Sequence, residues 1–253
     1  MRRPCAVSAT AKGHDLAVAQ PTYHTSALVL KKTKLGESDL IITFLSDDGS
    51  LFQGVAKGAR KPTSSFASRL EMYAQTDLLM VEGKSLDIVK EARLVQANEH
   101  LRTDYDASCV AAVIAELLSK TALADQPHPV HFAMATRAFA MLKDADQLHG
   151  SLLTCAFIMK CVSSIGYRPS LDTCVTCGDA IDIERLSNAS TIGFSYAEGG
   201  IVCENCSQLS RETAVDSAFI LWLRALLFAT FDDLIAAEAD AATISRLKEF
   251  LLT

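Results

Sequence analysis

Apolar and polar positions follow two rhythms along this chain, and the rhythm changes near residue 100. Between residues 25 and 97 the apolar residues fall in short runs separated by turn signals. Thr25–Lys32, Leu40–Leu45, Leu51–Lys57, Leu70–Val81 and Leu86–Gln96 each have the length and composition of a strand. Ser46-Asp47-Asp48-Gly49 lies between the second and third runs, and Asp-Gly between apolar runs is a strong turn signal. Glu82-Gly83-Lys84 predicts another tight turn before the fifth. Five short strands in about 75 residues predict a small antiparallel barrel, for which an OB-fold and an SH3-like barrel give similar strings.

Past residue 100 the spacing becomes helical. Val110, Val113, Ile114, Leu117, Leu118 and Thr121 predict a helix over Tyr105–Thr121, with Asp104 or Thr103 at its start. Pro127 and Pro129 break the chain. Val130–Leu142 and Leu148–Ile165 predict further helices, and the latter, apolar nearly all round, reads as central and buried. Gly166-Tyr167-Arg168-Pro169 ends it. Helical spacing returns at Thr213–Phe231 and Ala241–Leu252. Between the Leu148–Ile165 helix and Thr213, residues 171–209 hold four cysteines, several glycines and strand-like pieces, as an insertion between helices of one bundle would.

Composition agrees with a folded chain: 253 residues, 49% apolar and 21% charged. No apolar run approaches the ~20 residues a bilayer requires. The first residues are basic and rich in Ala and Ser, but no apolar signal core follows Arg3, so residues 1–21 are expected to form a disordered extension. The formal net charge of -6 argues against a polyanionic partner only if it is spread evenly. It is not: residues 21–100 carry ten basic and ten acidic side chains, and residues 101–253 eleven and nineteen. An anionic ligand is therefore expected on the N-terminal part.

Eight cysteines sharpen this picture. Cys109, Cys155 and Cys161 lie in apolar helical surroundings, where a free thiol behaves as a small hydrophobe. The pattern is not that of a secreted disulfide framework, so a reducing cytoplasm is expected. Cys174, Cys177, Cys203 and Cys206 form two Cys-x-x-Cys pairs. Two such knuckles supply the four sulfurs of a closed Zn²⁺ tetrahedron, a structural site with no open position. Gly178 suits the tight turn after the first pair. A redox pair would need one Cys-x-x-Cys in a βαβ setting, which is missing here. Chelation is expected to unfold 171–209 and spare the strands. Asp172, Asp179, Asp182, Glu184, Glu198 and Glu204 outnumber Arg185 around the knuckles, which makes them poor phosphate ligands.

Cations gather instead on the predicted barrel. Lys31, Lys32 and Lys34 end the first strand, and Lys57-Gly58-Ala59-Arg60-Lys61, followed by Arg69, forms a loop beside Thr63-Ser64-Ser65. Such a cluster suits a nucleic-acid backbone, with Phe52, Phe66 and Tyr73 as candidate stacking residues. Solvated lysine faces give the same string. His128 and His131 have no adjacent carboxylate, and no phosphate-binding loop, metalloprotease helix or nucleophile elbow occurs. No active site is read, and no enzyme is expected.

These stretches resemble the RecO family of bacterial DNA repair and recombination mediators. The resemblance is carried by Ala27–Leu30 through Gly36-Glu37-Ser38-Asp39, Lys57–Lys61 through Phe66 and Leu70-Glu71, Ile165-Gly166-Tyr167-Arg168-Pro169 through Cys174-Val175-Thr176-Cys177-Gly178, and Phe194-Ser195, Gly199-Gly200 and Cys203-Glu204-Asn205-Cys206. It implies an α+β multidomain chain: an N-terminal OB-fold β-barrel over 22–100 and a C-terminal helical bundle over 101–170 and 210–253, with a four-cysteine zinc module inserted over 171–209. It implies binding of single- and double-stranded DNA, annealing of complementary strands, and partnership with RecR and single-stranded-DNA-binding protein so that recombinase loads onto gaps. Carried over, the four cysteines hold one structural Zn²⁺, and Lys57, Arg60 and Lys61 are the foremost DNA contacts. The rival reading is a zinc-ribbon adaptor, for example in transcription, that binds only proteins.

Overall fold

The computed structural model describes residues 20–124, 126–185, 191–207, 212–237 and 239–252. The expected N-terminal extension lies outside them except for Gln20 and Pro21. Five strands form the first unit: β1 (Thr22–Leu35), β2 (Asp39–Ser46), β3 (Leu51–Ala56), β4 (Gln75–Val81) and β5 (Asp87–Gln96). They close in the order β1-β2-β3-β5-β4. Neighbours are antiparallel except β3 and β5, which run parallel through Gly54–Asp87 and Val55–Ile88. This closed five-stranded topology is the OB type of the two barrels the strand string allowed.

The run Ala27–Leu30 does not alternate because both faces of β1 are buried. Ala27 and Val29 pack inside the barrel with Ile42, Phe44, Leu78 and Met80. Leu28 and Leu30 belong to the core shared with the helices. At the β2–β3 turn, Gly49 adopts φ +81, and a Cβ there would sit 1.9 Å from the His128 carbonyl oxygen.

The expected strand Leu70–Val81 begins only at Gln75. Tyr73 takes φ +67 and turns the chain, its N–H donating to the Val29 carbonyl at 2.9 Å and its carbonyl accepting from Asn98 Nδ2 at 2.8 Å. The turn carries its ring out of the barrel to meet Phe139 edge-on, centroids 5.6 Å apart. Tyr73 is thus a core residue and not a stacking platform. Glu82–Leu86 is likewise a five-residue loop and not a tight turn.

Seven helices follow among the described residues: α1 (His100–Thr103), α2 (Tyr105–Thr121), α3 (Pro129–Met141), α4 (Gln147–Ser164), α5 (Ser217–Phe228), α6 (Phe231–Ala236) and α7 (Ala241–Leu252). Asp104, Asp146 and Asp216 start α2, α4 and α5, each accepting a backbone N–H at 2.8 Å. Helix α4 is central as expected, packed by α2, α3, α5, α6 and α7. It buries Leu152, Leu153, Phe157 and Met159.

The expected helix Thr213–Phe231 is three elements. Thr213–Asp216 is a strand, β8, that pairs with β6 (Thr191–Ser195), which also pairs with β7 (Gly200–Val202). Asp216 then caps α5, and Thr230 with Asp233 forms a capping box that restarts the chain as α6. Cys155 and Cys161 are buried, but Cys109 is exposed. It shares one outward face of α2 with Tyr105 and Val113, each four residues away and also exposed.

Candidate nucleic-acid interface and metal centre

The four cysteines converge. Their sulfurs all lie within 4.8 Å of one another, with Cys177 and Cys203 Sγ 3.7 Å apart. Four sulfurs about 2.3 Å from a central ion are about 3.8 Å apart, so this edge already has tetrahedral length. A disulfide would need about 2.05 Å. The donor set therefore fits a Zn²⁺-like ion.

Local backbone geometry builds the cluster. Gly178 holds φ +80, and its N–H donates to the Cys174 carbonyl at 2.9 Å to close the first knuckle. The second follows β7, with Cys206 and Ser207 N–H both donating to the Cys203 carbonyl at 3.0 Å. The knuckles are tied together by Val175 N–H to the Ile201 carbonyl at 3.0 Å and by Cys203 N–H to Cys174 Sγ at 3.3 Å. Burial opposes ionisation of the Cys174 thiol, yet the N–H groups of Cys203, Cys177 and Thr176 outweigh it and bring it down to about 6. The Asp179 N–H favours the Cys177 thiolate, but burial and the neighbouring sulfurs push that thiol up to about 12, so the four thiolates a metal requires would need the cation among them.

The barrel cations do not all meet. Lys32 and Lys34 share one side of β1, and with Arg60, Leu40, Phe66 and Glu71 they line a groove of about 330 Å³. Lys31 faces the other way, close enough to Glu116 of α2 to hold that carboxyl below its usual range, after the ion pair with Lys120. Strand alternation forces this split. Lys32 pairs with Glu71 at 3.1 Å. Arg60 is exposed and braced, one nitrogen donating to the Gly36 and Glu37 carbonyls at 3.2 and 2.8 Å.

Lys57 and Lys61 are exposed on the same loop. Between them sits Asp39, which accepts from Gly58 N–H at 2.7 Å and Ser38 Oγ at 2.8 Å. These bonds, then the charges of Lys57 and Lys61, hold its carboxyl below the usual range. Arg69 lies across the loop, donating to the Ala92 carbonyl at 3.3 Å. Phe66 stays at the groove while packed on the barrel core, whereas Phe52 is stacked on Phe44 at 5.1 Å.

His131 is fully buried, with Nε2 2.6 Å from Ser164 Oγ. It is a core histidine. The sequence reading passes over Lys90 and Arg93, exposed on β5, because neither belongs to a run of cations. Only the barrel register places them near Arg69.

An OB-type barrel with a cation-lined groove, joined to a helical unit carrying a four-cysteine centre, is the architecture of a non-catalytic binding protein class, and two family matches identify it as one of DNA repair and recombination proteins. The family model for Recombination protein O N terminal matches residues 20–98, and that for Recombination protein O C terminal matches residues 102–253. The DNA repair protein RecO of Desulfitobacterium hafniense strain DSM 10664 / DCB-2 is 35% identical over 193 residues, 76% of this chain and 67% of that protein. That of Bifidobacterium longum strain DJO10A is 35% identical over 187 residues, covering 72% and 73%. That of Bifidobacterium adolescentis is 32% identical over 225 residues, 88% of each chain. The chain belongs to the RecO family. It is a DNA repair and recombination protein and not an enzyme.

Proposed function

We propose that this chain binds single- and double-stranded DNA on its barrel, anneals complementary strands, and, with RecR and single-stranded-DNA-binding protein, helps recombinase load onto gaps. The observation that carries the reading is the meeting of Lys32, Lys34 and Arg60 with Phe66 around one exposed groove, beside the Lys57–Lys61 loop. Cations spaced along a groove neutralise phosphates and release their counterions. An aromatic among them gives unpaired bases a surface. With the repulsion between two backbones screened, base pairing selects the partner strand.

In this reading Lys57, Arg60, Lys61, Arg69, Lys32 and Lys34 are the DNA contacts, with Lys31 at the margin near α2. Cys174, Cys177, Cys203 and Cys206 hold one Zn²⁺, which ties two loops together and performs no chemistry on DNA. The protein works in the bacterial cytoplasm, on the nucleoid.

The test is strand annealing by the full chain at two salt concentrations. If five of these cations engage at once, the slope of log affinity against log salt is about -3.5 on single strands. K57E/R60E/K61E should abolish annealing. Unchanged annealing in that variant, or salt-independent binding, would refute these cations as the DNA contacts, and no annealing or DNA binding by the unmutated chain would leave the adaptor that binds only proteins.

A further inference from the structure

A second groove lies on the other side of the same loop, with a volume of about 710 Å³. Its floor is the outer face of β4 and β5, and its wall is Ser65, Phe66 and Arg69. Phe66 lines both grooves and so forms the crest between them. The strand register explains the cations on the floor. Leu79 pairs with Glu91 and Met80 with Val89, so Lys90 is the extra residue of a β-bulge. A bulge re-aims a side chain, and Lys90 is exposed. Arg93, opposite Asp77, shares the outer face with Leu79 and with His24 of β1.

The charges facing this space are Arg69, Lys90 and Arg93 against Asp77 and Glu91, and the His24 ring also lines it. Arg93 is paired with Asp77. Arg69 and Lys90 make no ion pair among the described residues. Leu79 and the partly exposed Leu94 add apolar surface. Cations beside apolar and aromatic surface suit a flexible polyanion with flat bases better than a small anion.

We propose that this groove seats a second nucleic-acid strand, so that one chain holds two strands on either side of the Phe66 crest. The inference rests on the DNA-binding reading above and adds to it a separate place for the partner strand, to which it assigns Arg69, a residue that lines this groove and not the first. Of the three cations of the floor and wall, Arg93 is offset by Asp77, and Glu91 stands beside Lys90, so the second strand is held more weakly than the first. A weakly held strand can slide and leave, as a search for complementarity demands.

The test uses the full chain and two non-complementary oligonucleotides, one carrying a donor dye and one an acceptor. Wild type should bind one strand and, at higher concentration, show energy transfer between both. K90E/R93E should keep first-strand affinity within about threefold, lose the transfer, and anneal complementary strands about tenfold more slowly. K34E/R60E should instead lose first-strand affinity. K84E/K143E, with the same change in net charge at exposed residues outside both grooves, should behave as wild type. K90Q/R93Q repeats the test without adding a carboxylate beside Asp77. The second groove is refuted if K90E/R93E and K90Q/R93Q keep transfer and annealing, if K84E/K143E loses them equally, or if the β5 variants lose all single-strand binding, which would make one continuous track. If wild type binds no strand at all, the DNA-binding reading itself falls.

Discussion

At the scale of single residues, covalent spacing was the most legible signal and side-chain direction the least. Two Cys-x-x-Cys pairs name their ligands because a knuckle brings both sulfurs to one side of the backbone. Lys31, Lys32 and Lys34 read as one cluster, yet alternation along a strand parts Lys31 from the other two. Asp39 invites a test of position against charge. It lies among the loop cations, so electrostatics alone says that removing it tightens DNA binding. Its bond to Gly58 N–H says the reverse. Asp39→Ala should weaken single-strand binding at low salt, and Asp39→Asn, whose Oδ1 still accepts that bond, should not. Tighter binding by the alanine variant would make Asp39 a mere repulsive charge. Gly200 is equally exacting, because a Cβ there would lie 2.6 Å from both the Ser170 carbonyl oxygen and Val175 Cγ1. Gly200→Val should cost about 1–3 kcal/mol in thermal denaturation and release metal more readily.

At the scale of elements, the helix of Tyr105–Thr121 was readable to the residue, since period and cap agree. Strand β8 was not, because four residues ahead of an apolar helix carry no period of their own. The acidic excess of residues 101–253 also finds part of its cause here. Asp146, Asp216 and Asp240 cap helices, and Asp233 bonds back to the Thr230 cap from inside the first turn of α6. The His149 N–H holds Asp146 below the usual range, the Thr230 hydroxyl does so for Asp233, and the Thr243 N–H for Asp240. Partial burial opposes the shift at Asp216, but the Phe219 N–H and Arg246 overcome it. A carboxyl depressed in the folded state stabilises above its unfolded value and stops doing so as pH falls through the folded one. Melting temperature should therefore be flat near neutrality and fall below about pH 4. Changing Asp146, Asp216 and Asp240 to Asn, which also caps helices, should make that acid limb shallower.

Metal removal belongs to the same scale. The sequence alone suggests that chelation unfolds all of 171–209. Ile192, Phe194 and Ile201 of the sheet, however, lie in the core shared with α4, α5 and α7. Hydrogen exchange after chelation should rise at 173–181 and 203–207, while β6, β8 and the barrel stay protected. Uniform loss across the sheet would mean that the ion, and not the core, holds it.

At the scale of the whole molecule, the break in rhythm near residue 100 marks a change of secondary structure but not a gap in the packing. Leu28, Leu30, Leu45 and Tyr73 of the barrel sit in one cluster with Leu101, Ile114, Leu118 and Phe139. Arg102 adds bonds from its guanidinium to the Met72 and Ala97 carbonyls at 2.9 and 2.8 Å. Patterning shows that Leu28 and Leu30 are buried. It cannot show what buries them, because contacts between distant segments leave no period. Phe139→Ala should cost about 3–5 kcal/mol and shift barrel and helix signals together in one denaturant transition. A fragment ending at residue 98 would expose the barrel's half of that cluster and should aggregate.

The left-handed turn at Tyr73, bonded to Asn98, ties the strands to the helices beside their shared core. If DNA lies on the barrel as proposed, a load on it would pass through this shared core to whatever grips the helices. The molecule would act as a rigid ruler, fixing how far from the nucleic acid a docked partner must stand.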